Sequence, residues 1–309
     1  MRTWNTRASV GRSNCWWLGI AAIVLVFAPG HTWIAFAADE TAAPRARQEV
    51  HPPIDPKLPT LWIIGDSTVR NGQDNGNNGQ WGWGNPIAAF FDTKRINVQN
   101  HALGGTSSRT FQTMGRWDGI LEQMKPGDYL IMQFGHNDSG KPDEPTRARA
   151  TLKGNGEETQ EIDNPITKKH EVVHTYGWYI RKYITDAKAK GAVEVIVCSP
   201  IPRNKWNEGK VSRDTTSYTK WAEEAAKQAG AEFINLNHLV ADRYDAVGEE
   251  KVTQEYFPEK ETTHPDWAGA VLNAECVVEG IKGLKNGDLA KYLLPEAPKD
   301  LKNPTGKAR

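Results

Sequence analysis

From Leu61 onward, short apolar runs rich in β-formers alternate with longer stretches of helical pattern, and this alternation is the feature that most constrains the fold. Residues 61–64 (LWII), 96–102 (INVQNHA), 129–134 (YLIMQF), 193–198 (VEVIVC) and 232–236 (EFINL) read as strands, bounded by Gly, Asp, Asn or Pro. Helical patterns fall at 85–93, 115–124, 168–190, 214–229 and about 267–284, the fourth stopping at Gly230 as helices often do. Such an order implies right-handed crossovers and an α/β fold: a parallel sheet with helices on both faces. Ligand sites in such sheets lie off the carboxyl ends of the strands, so the residues just after each strand hold the functional information. The polar, Gly-rich insert 139–167 is expected to decorate that edge as a loop.

The balance of 38 Lys+Arg against 38 Asp+Glu leaves no basic footprint for nucleic acid. The N-terminus reads as an export signal. Arg2, Arg7 and Arg12 precede an apolar run from Cys15 to Ala28, and Ala35-Phe36-Ala37 places small residues where a signal peptidase reads. The run is short for a membrane span of about 20 residues, so cleavage is expected rather than a retained anchor, with no stable membrane insertion afterwards. Removing residues 1–37 takes three arginines, leaving 35 basic against 38 acidic residues and a net charge of −3. Residues 38–58 are Pro-rich and polar and read as a flexible linker. The domain proper is expected at 59–296, with a tail at 297–309. Cys198 and Cys276 lie in apolar runs and read as buried free thiols rather than a bridge. No zinc-ligand spacing is present.

The expected strand ends carry four groups: Gly65-Asp66-Ser67-Thr68, Gly104-Gly105-Thr106, Gly135-His136-Asn137-Asp138 and, before the last helix, Glu261-Thr262-Thr263-His264. Each alone is ordinary. A Ser after a strand usually caps a helix and a Gly pair usually makes a turn. Together they supply the parts of an acyl-transfer site. A serine hydroxyl needs an adjacent base, for which His264 is the candidate, and the base needs a carboxylate to fix its tautomer, for which Glu261 is near enough. The N–H groups of Ser67 and Gly105 and the amide of Asn137 are candidate donors to an oxyanion. No phosphate loop or dinucleotide fingerprint follows the first strand, which disfavours a nucleotide-binding flavodoxin-type protein.

These four blocks resemble those of the GDSL/SGNH hydrolases, with Ser67, Gly105, Asn137 and His264 filling the named positions in order. The resemblance extends to the rhamnogalacturonan (pectin) acetylesterase branch through Gly82-Trp83-Gly84, NHALGGTSSRTF at 100–111, EVVHTYGWY at 171–179, SPIPRNKW at 199–206 and TTHPDWAGA at 262–270. It covers nearly all of 60–295. It implies a flavodoxin-like three-layer α/β/α sandwich on a five-stranded parallel sheet, a Ser–His–acid mechanism without metal or cofactor, and removal of acetyl groups from pectic polysaccharide. One position departs from the pattern: Glu261 stands where the family usually has Asp. Asp266 is the rival acid, with helix capping its alternative role, and Asp66 is expected to be structural. His101, His136, His170 and His174 are left as structural or substrate-contacting.

For the substrate, Trp83 in its Gly-rich loop is a candidate stacking surface. Arg109 and Arg203 are candidates for binding galacturonate carboxylates. The expected partner is an acetylated polysaccharide or oligosaccharide, the expected state a monomer, and the expected location secreted or periplasmic. The competing readings are a lipase or thioesterase within the same class, an esterase for another acetylated glycan, and a non-catalytic glycan-binding protein, for which a broken residue set would be expected.

Overall fold

The computed structural model describes residues 51–71 and 76–306, all within one compact unit, Glu49–Arg309. The expected signal segment and most of the expected linker lie outside the described residues. Five strands form the central sheet: β1 (Thr60–Gly65), β2 (Asn97–Asn100), β3 (Tyr129–Gln133), β6 (Glu194–Cys198) and β9 (Glu232–Ile234). All four neighbouring pairs are parallel, in the order β2-β1-β3-β6-β9.

Strand periodicity sorts the core into two halves. Leu61 and Ile63 of β1, Tyr129 and Ile131 of β3, and Ile196 and Cys198 of β6 point into one apolar layer. That layer is closed by α5 (Leu236–Val247), α6 (Glu249–Glu255) and α7 (Trp267–Gly283). The alternate residues, Trp62, Ile64, Leu130, Met132, Val195 and Val197, point into the other. There they meet α1 (Ser108–Thr113), α2 (Arg116–Leu121), α3 (Tyr176–Ala189) and α4 (Tyr218–Ala229). The strands are buried on both faces, which is why they read as continuous apolar runs and not as alternating ones. The buried Trp62 indole donates to Asp128 Oδ2 at 2.9 Å, so its polar edge is satisfied.

The expected helix over 168–190 is two elements. His170–His174 is β5, paired antiparallel with β4 (Thr159–Asp163), and the helix begins only after Thr175, whose hydroxyl accepts from Trp178 N. Val172 and Val173 are β-branched and favour the strand; the Thr175 cap then starts the helix. The insert 139–167 is therefore a loop that ends in a hairpin arm. The segment 85–93 holds one 3₁₀ turn, Ile87–Phe90. The reading missed α1, which opens on a capping box from Ser107 to Thr110, and α5 and α6, which follow β9 with almost no punctuation. A short ribbon, β7 (Trp206–Asn207) with β8 (Lys210–Val211), follows β6.

Of the stretch expected as linker, residues 51–58 are described, and part of it is fastened to the sheet edge. Gln99 Nε2 donates to Pro52 O at 2.8 Å, and Asn97 Nδ2 to Asp55 O at 2.9 Å. The tail is likewise tethered, with Trp267 Nε1 donating to Leu301 O at 2.6 Å. Cys198 and Cys276 are buried free thiols. Burial pushes both up, Cys276 to about 12, which leaves them protonated and inert.

β1 must approach its neighbours closely where it ends. A Cβ on Gly65 would lie 2.4 Å from Val69 Cγ2 and 2.5 Å from the carbonyl oxygen of Gln133. The second contact is backbone in the next strand and cannot move cheaply. Gly65→Ala is therefore expected to lower unfolding free energy by about 1–3 kcal/mol, read from the urea midpoint at unchanged m-value.

Candidate active site

The residues singled out at strand ends meet at one edge of the sheet. Ser67 follows β1 in a tight turn closed by Val69 N and Arg70 N, each donating to Asp66 O at 3.1 Å. The side chain is 6% exposed. Its Oγ lies 2.8 Å from His264 Nε2. His264 sits in the loop before α7, which is pinned on two sides: Trp81 N donates to Pro265 O at 2.8 Å, and Asn204 N to Thr262 O at 2.8 Å.

Glu261 folds back beneath His264. Its Oε2 lies 3.2 Å from His264 Nδ1, an ion-pair distance without the in-line geometry of a hydrogen bond. Its Oε1 accepts from the backbone N–H of Thr262, Thr263 and His264 at 2.9, 2.7 and 3.2 Å. The extra methylene, relative to Asp, lets the side chain curl under its own loop. Burial raises the Glu261 carboxyl, but the Thr263 N–H and the His264 ring outweigh it and hold it below the ordinary value, so it stays ionised. Asp266 instead caps α7, accepting from Gly269 N at 2.9 Å.

Gln80 was not anticipated. It donates from Nε2 to Glu261 Oε2 at 2.8 Å, and its own carbonyl accepts from Asn71 Nδ2 at 2.9 Å. A polar chain thus runs Asn71–Gln80–Glu261–His264–Ser67. A Gln in a polar loop gives no sequence signal that would have found it.

The loops that carry the expected oxyanion donors meet at this edge. Gly105 has a left-handed backbone, φ +86°, open to Gly at little cost. A Cβ on the adjacent Gly104 would sit only 3.5 Å from Ser67 Cβ, so this turn lies directly beside the serine. Thr106 Oγ1 donates to Leu103 O, and Asn137 Nδ2 donates to Thr106 O at 2.8 Å, which joins the turn to the Asn137 loop. The second hydrogen of that amide remains for another acceptor.

Two buried carboxylates hold these loops. Asp66 accepts from Thr68 N and Thr68 Oγ1 at 2.9 and 2.8 Å and faces His136 Nδ1 at 3.5 Å. Burial opposes its charge, but His136 and Thr68 more than offset this and lower its pKa. Asp138 accepts from Ser108 N and Ser108 Oγ at 3.0 and 2.5 Å, tying the Asn137 loop to the start of α1. Burial pushes Asp138 up to about 7 despite those bonds, with the charge of Asp66 adding to the rise.

Two expected substrate contacts are corrected. Trp83 is 0% exposed, and its indole donates to Gln133 Oε1 at 2.9 Å; Gln133 in turn donates to Thr68 Oγ1. It buttresses the serine turn from behind and has no face open to a sugar. A Cβ on Gly82 would lie 2.3 Å from the Val69 carbonyl carbon, so the glycine serves close backbone approach and not a flexible exposed loop. Arg109 is also 0% exposed. It makes a bidentate pair with Glu171, Nε and Nη2 each at 2.7 Å, and donates to Pro142 O and Ala150 O. Its charge is paired with Glu171 and its Nη1 bonds hold the 139–167 insert, and the fully buried side chain offers no surface to a ligand. Arg203 fits its expected place at the edge, where Nη1 bonds Thr263 Oγ1. It lines a cavity of about 390 Å³ with Gly135, His136, Lys205 and Tyr218. Among the described residues no carboxylate lies within ion-pair distance of Arg203 or Lys205.

Residues 63–272 match the model of the GDSL-like lipase/acylhydrolase family. The chain belongs to that family. Membership places it among carboxylic ester hydrolases, and the described fold is that of GDSL/SGNH esterases. It is 30% identical to the rhamnogalacturonan acetylesterase of Emericella nidulans, over 72% of this chain and 84% of that protein. It is 32% identical to the probable rhamnogalacturonan acetylesterase YesY of Bacillus subtilis, over 72% and 93%. A crystal structure of Bacillus subtilis YxiM matches with a TM-score of 0.58 at 28% identity, covering 73% of this chain and 56% of that one.

The two kinds of carboxylate predict opposite pH effects. Glu261 is held low, so its contribution to stability is present above 4.5 and fades as pH falls below it. Asp138 is raised, so its contribution is complete below 3.8 and is lost as pH climbs through about 7. Asp138→Asn is expected to flatten the decline of stability between those two values, measured as urea midpoints at a series of fixed pH.

Proposed function

We propose that the chain is an exported carbohydrate O-acetylesterase acting on pectic polysaccharide of the rhamnogalacturonan type. The observation that carries this reading is the 2.8 Å approach of Ser67 Oγ to His264 Nε2 beside the Gly104–Gly105 turn. The names of the two relatives supply the acetyl and the glycan. The basic, apolar and small-residue order of the N-terminus supports export.

His264 takes the Ser67 proton as Oγ attacks the acetyl carbonyl carbon. The carbonyl oxygen becomes an oxyanion and receives hydrogen bonds from Ser67 N, Gly105 N and Asn137 Nδ2, each worth roughly 3 kcal/mol of barrier. The protonated His264, facing ionised Glu261, gives its proton to the departing sugar oxygen. The same imidazole then takes a proton from water, whose oxygen attacks the acetyl-serine carbon, and returns that proton to Ser67 Oγ as the Oγ–carbon bond breaks and acetate leaves.

Arg203 and Lys205 support an acidic glycan over a neutral one, since an unpaired guanidinium suits a uronate carboxylate. A longer-acyl esterase is the second reading; an acyl chain would need to reach the cavity of about 780 Å³ among Trp81, Phe257, Pro258 and Trp267, which neither Ser67 nor His264 lines.

Kinetics on acetylated rhamnogalacturonan fragments, acetylated xylo-oligosaccharides and nitrophenyl acetate and octanoate separate these readings. Ser67→Ala is expected to lower kcat by about 10⁴-fold or more on every ester. Arg203→Met is expected to raise KM roughly tenfold on uronate-bearing esters and to leave the neutral ones unchanged. Retained activity in Ser67→Ala overturns the mechanism. A preference for octanoate transfers the assignment to the longer-acyl reading.

A further inference from the structure

The insert 139–167 has no part in the Ser67–His264–Glu261 relay, yet it is tied to the rest of the fold by several contacts at one point. Four consecutive residues are fixed there by different means. Ala148 is 1% exposed and takes a left-handed backbone, φ +43°, which is strained for a residue with a Cβ. Its N–H closes a turn onto Glu144 O at 2.9 Å. Ala150 O accepts from the buried Arg109 guanidinium at 2.7 Å. Thr151 N donates to Asp138 O at 3.0 Å. The remaining residue, Arg149, is half-buried, and its Nη1 donates to Gly105 O at 3.0 Å.

Among the described residues Arg149 makes no ion pair. Burial and the neighbouring Arg147 lower its pKa, while Asp66, Asp138 and Glu144 act on it in the opposite sense. A partly desolvated cation without a paired acid is costly to keep. Here it is kept against the turn that carries an expected oxyanion donor.

We propose that Arg149 is a positioning residue for the oxyanion site: it clamps the Gly105 carbonyl and so fixes the direction of the Gly105 turn beside Ser67. Gly105 needs such a clamp because glycine restricts its own backbone least. The Gly105 carbonyl belongs to the peptide that follows the donor N–H. Holding it sets the rotation about Gly105 and keeps the preceding N–H turned toward the serine. The unpaired charge also favours a negative charge that forms nearby over the neutral ester that precedes it. Both effects act on the transition state more than on the bound substrate, so they belong in kcat. Arg109 and the strained Ala148 act one step behind, by delivering Arg149 to its place. This inference rests on the acyl-enzyme reading above and adds to it a residue outside the four blocks.

The test uses nitrophenyl acetate, which is small and neutral and has no carboxylate to seek a guanidinium. Wild type, Ser67→Ala, Arg149→Met and Arg149→Lys are compared for kcat, KM, thermal midpoint and inhibition by an alkylboronic acid that mimics the tetrahedral intermediate. Arg149→Met is expected to lose about tenfold in kcat with KM within twofold, and to bind the boronic acid about tenfold more weakly. Arg149→Lys is expected to recover part of both losses, because it restores a donor and the charge. An unchanged kcat in Arg149→Met overturns the inference, and so does a rise in KM alone, which would make Arg149 a substrate contact. Should Arg149→Met melt early, the decision passes to Arg149→Gln, which removes the charge, at its own stable temperature: wild-type kcat and wild-type boronate affinity there overturn the inference, and a matched loss in both supports it. If wild type and Ser67→Ala hydrolyse the ester equally, the acyl-enzyme reading fails, a result distinct from every Arg149 outcome.

Discussion

The contact on which the site depends joins two atoms 197 positions apart in sequence, Ser67 Oγ and His264 Nε2. No local preference brings them together. The parallel sheet does so: it places the ends of β1, β2 and β3 side by side, with the loop before α7 folded over them. In a parallel sheet every strand points the same way, so every carboxyl end opens on the same edge. Polar groups that lie just past a strand become neighbours however far apart they are in sequence. The apolar layers on both faces of the sheet supply the rigidity, and the site itself carries polar groups that would be unaffordable without it.

Most of that rigidity reaches the site through buried polar groups. Asp66 and Asp138 accept hydrogen bonds from the loops on either side of Ser67, and Glu261 gathers four N–H donors around itself. Carboxylates held by several donors cannot readily turn, although burial still weighs against charge on Asp138. Glu261 shows how a one-methylene change can be absorbed. Its longer arm reaches its own backbone with one oxygen and leaves the other facing His264, while Gln80 takes up part of that second oxygen.

The sheet was legible because strands buried on both faces are compact apolar runs, and the Ser67, Gly105 and Asn137 groups because each sits next to such a run; the His264 group stood out by its place just before the last helix. The boundaries were less so. The arm β4–β5 carries exposed as well as buried positions, so it lacks the run that marks a core strand, and its second half merged with the α3 pattern. Trp83 and Arg109 misled for a shared reason. Composition cannot say whether a Gly-flanked Trp faces water or backbone, nor whether an Arg meets a ligand or a glutamate 62 residues away. Gln80 and Arg149 were invisible because each matters through a single long-range contact.

The central claim is that Ser67 is the nucleophile of a covalent mechanism. The most direct measurement is stoichiometric labelling with a nitrophenyl alkylphosphonate, followed by peptide mass spectrometry and residual activity on the same samples. One phosphonyl group per chain, on the peptide containing Ser67, with activity falling in step, is the predicted result. Label at another residue, or full activity with Ser67 quantitatively phosphonylated, would contradict the account.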